Sequence, residues 1–168
     1  MSGLDQVREI LAEYLSGQGV NAVTAWSDRP RSETDGAVCA VSLRKGQAVG
    51  VGFCDYLGER YDTERGRWVE FYGKRVRLTF GLDLYAPAGP EAGESAVRAA
   101  FDTLAGALQG GGVAGLKLEE FSCGETEFLE AEGRYRCPVE AVYQAFLYAV
   151  ADEGGSFLDF EVKGVMQH

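Results

Sequence analysis

The sequence predicts an α+β fold: a mostly antiparallel, mixed β-sheet packed against two α-helices, in a single domain over residues 1–168, with a long hairpin arm or loop around 55–74. Three observations predict it. Leu4, Val7, Ile10, Leu11, Tyr14 and Leu15 recur at steps of three and four, the spacing of one helical stripe. Val76, Leu78, Phe80, Leu82 and Leu84 alternate with Arg75, Arg77, Thr79, Asp83 and Tyr85, the period of a half-buried strand. Val97, Phe101, Leu104 and Leu108 then return to helical steps.

The first helix covers about residues 3–16, and Gly17-Gln18-Gly19 stops it. From Val20 to Trp26 the pattern is short and strand-like, and a polar loop runs from Asp28 to Gly36. Residues 37–44 and 47–56 read as two strands joined in a hairpin at Lys45-Gly46. In the second of them Gly50 and Gly52 alternate with Val49, Val51 and Phe53, so one face is bare and another group can approach closely. The strongest strand spans 74–86. A turn rich in proline and glycine then leads into the second helix, with Ser95 as its N-cap and Gln109-Gly110-Gly111-Gly112 as its stop. Short strands are expected near 115–122 and 126–131, and a long alternating one from Tyr135 to Val150. The last of these turns at Asp152-Glu153-Gly154-Gly155 and returns as Phe157 to Val165.

A chain of 168 residues, 46% hydrophobic, can bury one core without metal or disulfide help. Its four cysteines, Cys39, Cys54, Cys123 and Cys137, show no C-x2–4-C clamp and have no histidine near them, which disfavours a zinc site. No apolar leader precedes them, so they read as reduced thiols of a cytoplasmic protein. Cys39 and Cys54 sit in alternating segments and are expected to be buried and inert. No apolar run reaches membrane-spanning length. With 26 acidic against 16 basic residues, a formal charge of −10 and a pI near 4.6, the surface repels phosphate at long range and disfavours nucleic-acid binding.

Catalytic motifs are missing. The single histidine is the last residue, His168, a poor place to hold a proton-transfer group in register. No phosphate-cradling glycine motif is present, and the glycines after residue 109 follow a helix where such a cradle follows a strand. Asp55, Glu59, Asp62, Glu64 and Glu70 could supply a carboxylate pair, but in so acidic a chain they read as solvated loop charge. The residues therefore predict no enzyme, cofactor or metal.

The stretch from Asp55 to Lys74 is the unusual one. It sets Tyr56, Tyr61, Trp68, Phe71 and Tyr72 among charges of both signs, including Arg67. Aromatic residues and arginine are enriched at protein interfaces, so Tyr56, Tyr61, Arg67, Trp68, Phe71 and Tyr72 form the candidate partner surface. The competing expectation is that Trp68 and Phe71 cap the domain's own core.

Three segments taken in order resemble one protein family. They are the opening helix that ends at Gly17-Gln18-Gly19-Val20-Asn21-Ala22-Val23, the 76–86 strand leading into Ser95 to Leu104, and the late strand from Tyr135 to Tyr148. The order is similar to that of the tail terminator proteins of long-tailed bacteriophages and prophages, also called tail completion or minor tail proteins. The likeness spans nearly the whole chain as a pattern without a signature motif, and the 55–74 arm is long for it. It implies a homo-oligomeric ring, usually a hexamer, that caps the tail tube and joins it to the head connector while DNA passes without specific binding. It also implies assembly in the host bacterium's cytoplasm and a final place in the virion tail. A tail tube or baseplate subunit is the neighbouring alternative. A small ligand-binding or enzyme domain is another, with a pocket beside Gly50 and Gly52 that would use Glu59, Asp62 or Glu70.

Overall fold

In the computed structural model the described residues are 3–24, 36–89, 93–110, 112, 113, 115–151 and 157–163. The elements in chain order are α1 (Gly3–Gly17), β1 (Ala22–Val23), β2 (Val38–Gly50), the single turn α2 (Gly52–Asp55), β3 (Tyr56–Asp62), β4 (Arg67–Pro87), α3 (Gly93–Gln109), β5 (Lys117–Cys123), β6 (Glu127–Leu129), β7 (Arg134–Cys137), β8 (Val139–Ala151) and β9 (Phe157–Lys163). The architecture is α+β, as the patterning predicts.

The predicted stripe of α1 buries Val7, Leu11 and Leu15, while Leu4 and Ile10 at its margins are exposed. Asp5 in the first turn complements the positive end of the helix dipole. The helix closes with Val20 donating its N–H to the Leu15 carbonyl at 3.0 Å, past Gly19 at φ 88°. Helix α3 buries Val97, Leu104, Ala107 and Leu108. The Tyr14 hydroxyl ties the two helices at one end, donating to the Ala107 carbonyl at 2.8 Å and accepting the Gly112 N–H at 3.1 Å. Ser95 lies inside α3, which already starts at Gly93, so it is not the N-cap.

Among the described residues nine strands form one sheet, parallel only between β1 and β2. Strand β4 is its axis. On one flank β2 pairs with it from Val38↔Tyr85 to Gly50↔Lys74. On the other, β8 pairs from Phe71↔Val150 to Gly81↔Glu140, and β7 from Leu84↔Cys137 to Pro87↔Arg134. The alternation of β4 places Val76, Leu78, Phe80, Leu82 and Leu84 in the core shared with α1 and α3. Phe80, Leu78, Leu82 and Leu84 are fully buried, each stabilising the fold by about 1.5–3 kcal/mol relative to exposure.

The Lys45-Gly46 hairpin is corrected. Residues 38–50 are one strand, because β4 is long enough to satisfy the backbone of both predicted segments at once. The signal read as a turn is a β-bulge at Arg44, where the register shifts between Leu43 and Lys45. The second segment ends at Gly50, and the chain makes the α2 turn before resuming as β3 along the same flank of β4. The true hairpin tip is at residues 63–66. The Asp62 carboxylate holds it by accepting the N–H groups of Glu64 (2.9 Å) and Arg65 (3.1 Å), the local bonding that favours Asp at turns.

The long strand predicted from Tyr135 is two strands, because Pro138 has no N–H to continue a ladder. The two strands therefore serve different neighbours, residues 134–136 of β7 pairing with β6 and Val139 of β8 pairing with Cys123 of β5. The closing pair is present as β8 with β9. The stretch predicted as a polar loop up to residue 35, the tip at 152–155 and the residues after 163 lie outside the described set.

Candidate functional site

The predicted arm is the distal end of the β2–β3–β4 ribbon. Beyond Phe71, where the pairing with β8 ends, the described strand at 67–70 pairs with β3 alone. Its register sets Tyr56 opposite Tyr72, Glu59 opposite Glu70, and Tyr61 opposite Trp68. Directly opposed residues share a face. Two aromatic pairs result, Tyr56–Tyr72 with ring centroids 5.5 Å apart and Tyr61–Trp68 at 5.6 Å, both edge to face. Trp68 is 63% exposed and Tyr61 48%; Tyr56 is exposed, whereas Tyr72 and Arg67 are half-buried.

Phe71 departs from the predicted surface. It is 4% exposed, and Val69 6%. Both lie on the opposite face of the arm, where the Arg60 guanidinium stands 5.2 Å from the centre of the Phe71 ring. Phe71 is thus buried on one face of the arm and Trp68 exposed on the other. Along β4 the buried parity changes between Phe71 and Val76. The side of the sheet that meets the helices in the body carries exposed aromatics in the arm.

The loop carboxylates are engaged locally. Asp55 accepts the Val51 N–H at 3.1 Å and pairs with Lys74. The hydrogen bond from Lys74, then that from Val51, holds its carboxyl below the ordinary 3.8. Gly50 leaves room for this carboxylate, since a Cβ there would stand 3.3 Å from Asp55 Oδ1; the predicted close approach to the bare face is made by the chain itself. Cys54 and Asp55 adopt left-handed φ values of 54° and 62°, a strained conformation for residues with a Cβ. Glu70 accepts the Tyr72 hydroxyl at 2.7 Å, which raises the Tyr72 pKa. Burial and then the charges of Glu59 and Glu70 raise that of Tyr56.

The face of the sheet opposite α1 and α3, helix-free among the described residues, carries a network that sequence reading missed. Arg44 Nη2 donates to both oxygens of Asp83 at 2.7 Å, and Arg44 Nη1 to Glu140 at 3.0 Å. Arg136 donates to Asp83 at 3.1 Å and to Glu127 at 3.2 Å. Asp83 also accepts the Val139 N–H at 3.2 Å, satisfying the donor just past the Pro138 break. The bulge delivers Arg44 to this face. Gly81 makes its path, since a Cβ there would meet Arg44 Nε at 2.4 Å. Burial works against the Arg44 charge, but the hydrogen bonds and charges of Glu140 and Asp83 outweigh it and raise its pKa. Asp83 was expected on the outward face; it is on that face, yet only 8% exposed. The signal was a lone acid and a glycine inside an apolar strand, with no local clue to their partners.

Cys39 and Cys137 are buried, whereas Cys54 and Cys123 are exposed. The expectation for Cys54 fails because its segment is a turn and not a buried strand. Burial, with the charge of Asp83 adding to it, pushes the Cys39 thiol up to about 12, so this thiol is a poor nucleophile. It lines a shallow groove of about 310 Å³ with Asn21, Val38 and the alanines 96, 99 and 100 of α3, a lining without an acid–base pair. Among the described residues no group of three or more His, Cys, Asp or Glu side chains could hold a metal ion. No described helix is long and apolar enough to cross a membrane.

No known protein-family model matches the chain, and no curated protein matches it.

Proposed function

We propose that this chain is a structural subunit of a long-tailed phage or prophage tail, a tail terminator that assembles as a ring, caps the tail tube and joins it to the head connector. The observation that carries the reading is the arm, a two-stranded extension whose helix-side face exposes Trp68, Tyr61 and Tyr56. Two-stranded ribbons are marginal alone, and clustered exposed aromatics are typical of interface anchors. The α+β element order, with α1 first and α3 directly after the main strand, supports the same reading through its likeness to that family. The charge of −10 per subunit, repeated around a ring, suits a channel through which DNA slides without sticking.

Light scattering on size-exclusion fractions, with negative-stain microscopy of the protein alone and mixed with tail tubes from the same phage or prophage, tests this. Discrete rings, or tubes closed at one end by added density, are the expected result. Open tubes grown from the protein alone would make it a tube subunit. A monomer that leaves tubes unaltered would overturn the reading.

A further inference from the structure

We infer that the arm of one copy seats its aromatic and acidic face on the helix-free face of the next copy, with Glu59 and Glu70 closing on Arg75. The inference rests on the reading of the chain as a self-assembling subunit and supplies its contact. Glu59 and Glu70 stand directly opposite each other across the arm, both exposed. Like charges so placed are destabilising, and no described cation forms an ion pair with either of them. The edge-to-face pairs of Tyr56–Tyr72 and Tyr61–Trp68 flank the two carboxylates along the ribbon. A guanidinium suits such a place, because it pairs with carboxylates through its planar fork and stacks on aromatic faces.

The same chain offers that guanidinium. On the helix-free face, register sets Arg75 between Val49 and Phe146. Arg75 is exposed, and the two apolar neighbours are half-buried. The other exposed or half-buried arginines of this face of the body are engaged, Arg77 with Glu119 and Glu120, and Arg44 and Arg136 through Asp83. Arg75 has no carboxylate partner among the described residues. It therefore presents a cation between apolar shoulders, and the arm presents an acid pair between aromatic ones. In a chain of net charge −10, copies repel at a distance, so contact depends on local complementarity of this kind.

A second copy is required. Glu70 and Arg75 belong to one strand but differ in parity, so they face opposite sides of the sheet and no arm can reach its own Arg75. Donor and acceptor surfaces on opposite sides give a head-to-tail contact, the kind that closes into rings or runs on as filaments.

Charge reversal tests it by sedimentation and negative-stain microscopy of the full chain. Glu59→Arg with Glu70→Arg in one variant, and Arg75→Glu in another, should each weaken self-association at least about tenfold. An equimolar mixture of the two should reassemble, since each arm then finds an acceptor of opposite charge. The triple variant should assemble alone. All of these positions are exposed, and an unchanged thermal unfolding curve for each variant separates lost contact from lost fold. Reversals without effect, reversals that neither mixture nor triple variant rescues, or a wild type that stays monomeric at about 1 mM would overturn the contact. Rings that ignore the reversals would leave the terminator reading standing and this contact refuted. Filaments restored by the swap would do the opposite.

Discussion

Strand β4 passes through two environments. From Val76 to Leu84 its even positions are sealed under α1 and α3, and its odd positions carry Arg77 and Asp83, each engaged in ion pairs. At 67–72 the arrangement is inverted. Val69 and Phe71 at odd positions are buried, while Trp68 and Glu70 face outward on the side the helices cover elsewhere. One continuous backbone thus serves as a core strand and as a presenting surface. The difference teaches that burial on a strand follows what lies across the sheet, and the alternation itself dictates neither face.

The largest effect should come from the body. Asp83→Ala leaves the guanidinium groups of Arg44 and Arg136 facing each other and the Val139 N–H without its acceptor. A loss of about 2–4 kcal/mol is expected in urea unfolding, discounted from the value for a fully buried pair because both arginines are partly exposed. A loss near zero would put the network on a par with surface ion pairs and erase the contrast with the arm.

Trp68→Ala should cost the fold about 1 kcal/mol or less, since a largely exposed ring gives up only its edge contact with Tyr61. Association should suffer much more than stability. A stability loss of about 3–5 kcal/mol, the scale of a buried aromatic, would place Trp68 in the core and break the comparison.

The smallest effect belongs to the joint between the regions. Asp55 has a folded pKa below its ordinary 3.8, chiefly through Lys74. Its contribution is therefore complete above that ordinary value and disappears as the pH falls through the folded one. Melting temperatures followed into acid should fall slightly more steeply for the wild type than for Asp55→Asn. Parallel curves would show that the Lys74 contact adds nothing to the arm's attachment.

Much of this fold was legible in the chain. The α1 stripe, the 76–84 alternation and the Val97–Leu104–Leu108 steps all correspond to observed elements, because each buries one face and so writes its own period into the sequence. An aromatic cluster between two strands marked the arm, but it left open whether Trp68 faced outward or capped the core. Phe71 was assigned to the same surface, because composition cannot say which side of a ribbon is covered.

By itself, then, the sequence determined the fold class, the two helices and the main strand, through periodicities of 3.6 and 2 that depend only on near neighbours. Tertiary structure alone decided that residues 38–50 run as one strand and that Arg44 bulges across Gly81 to Asp83. Each of those outcomes depends on a partner dozens of positions away. A backbone donor or a guanidinium carries no local mark of which distant acceptor will satisfy it.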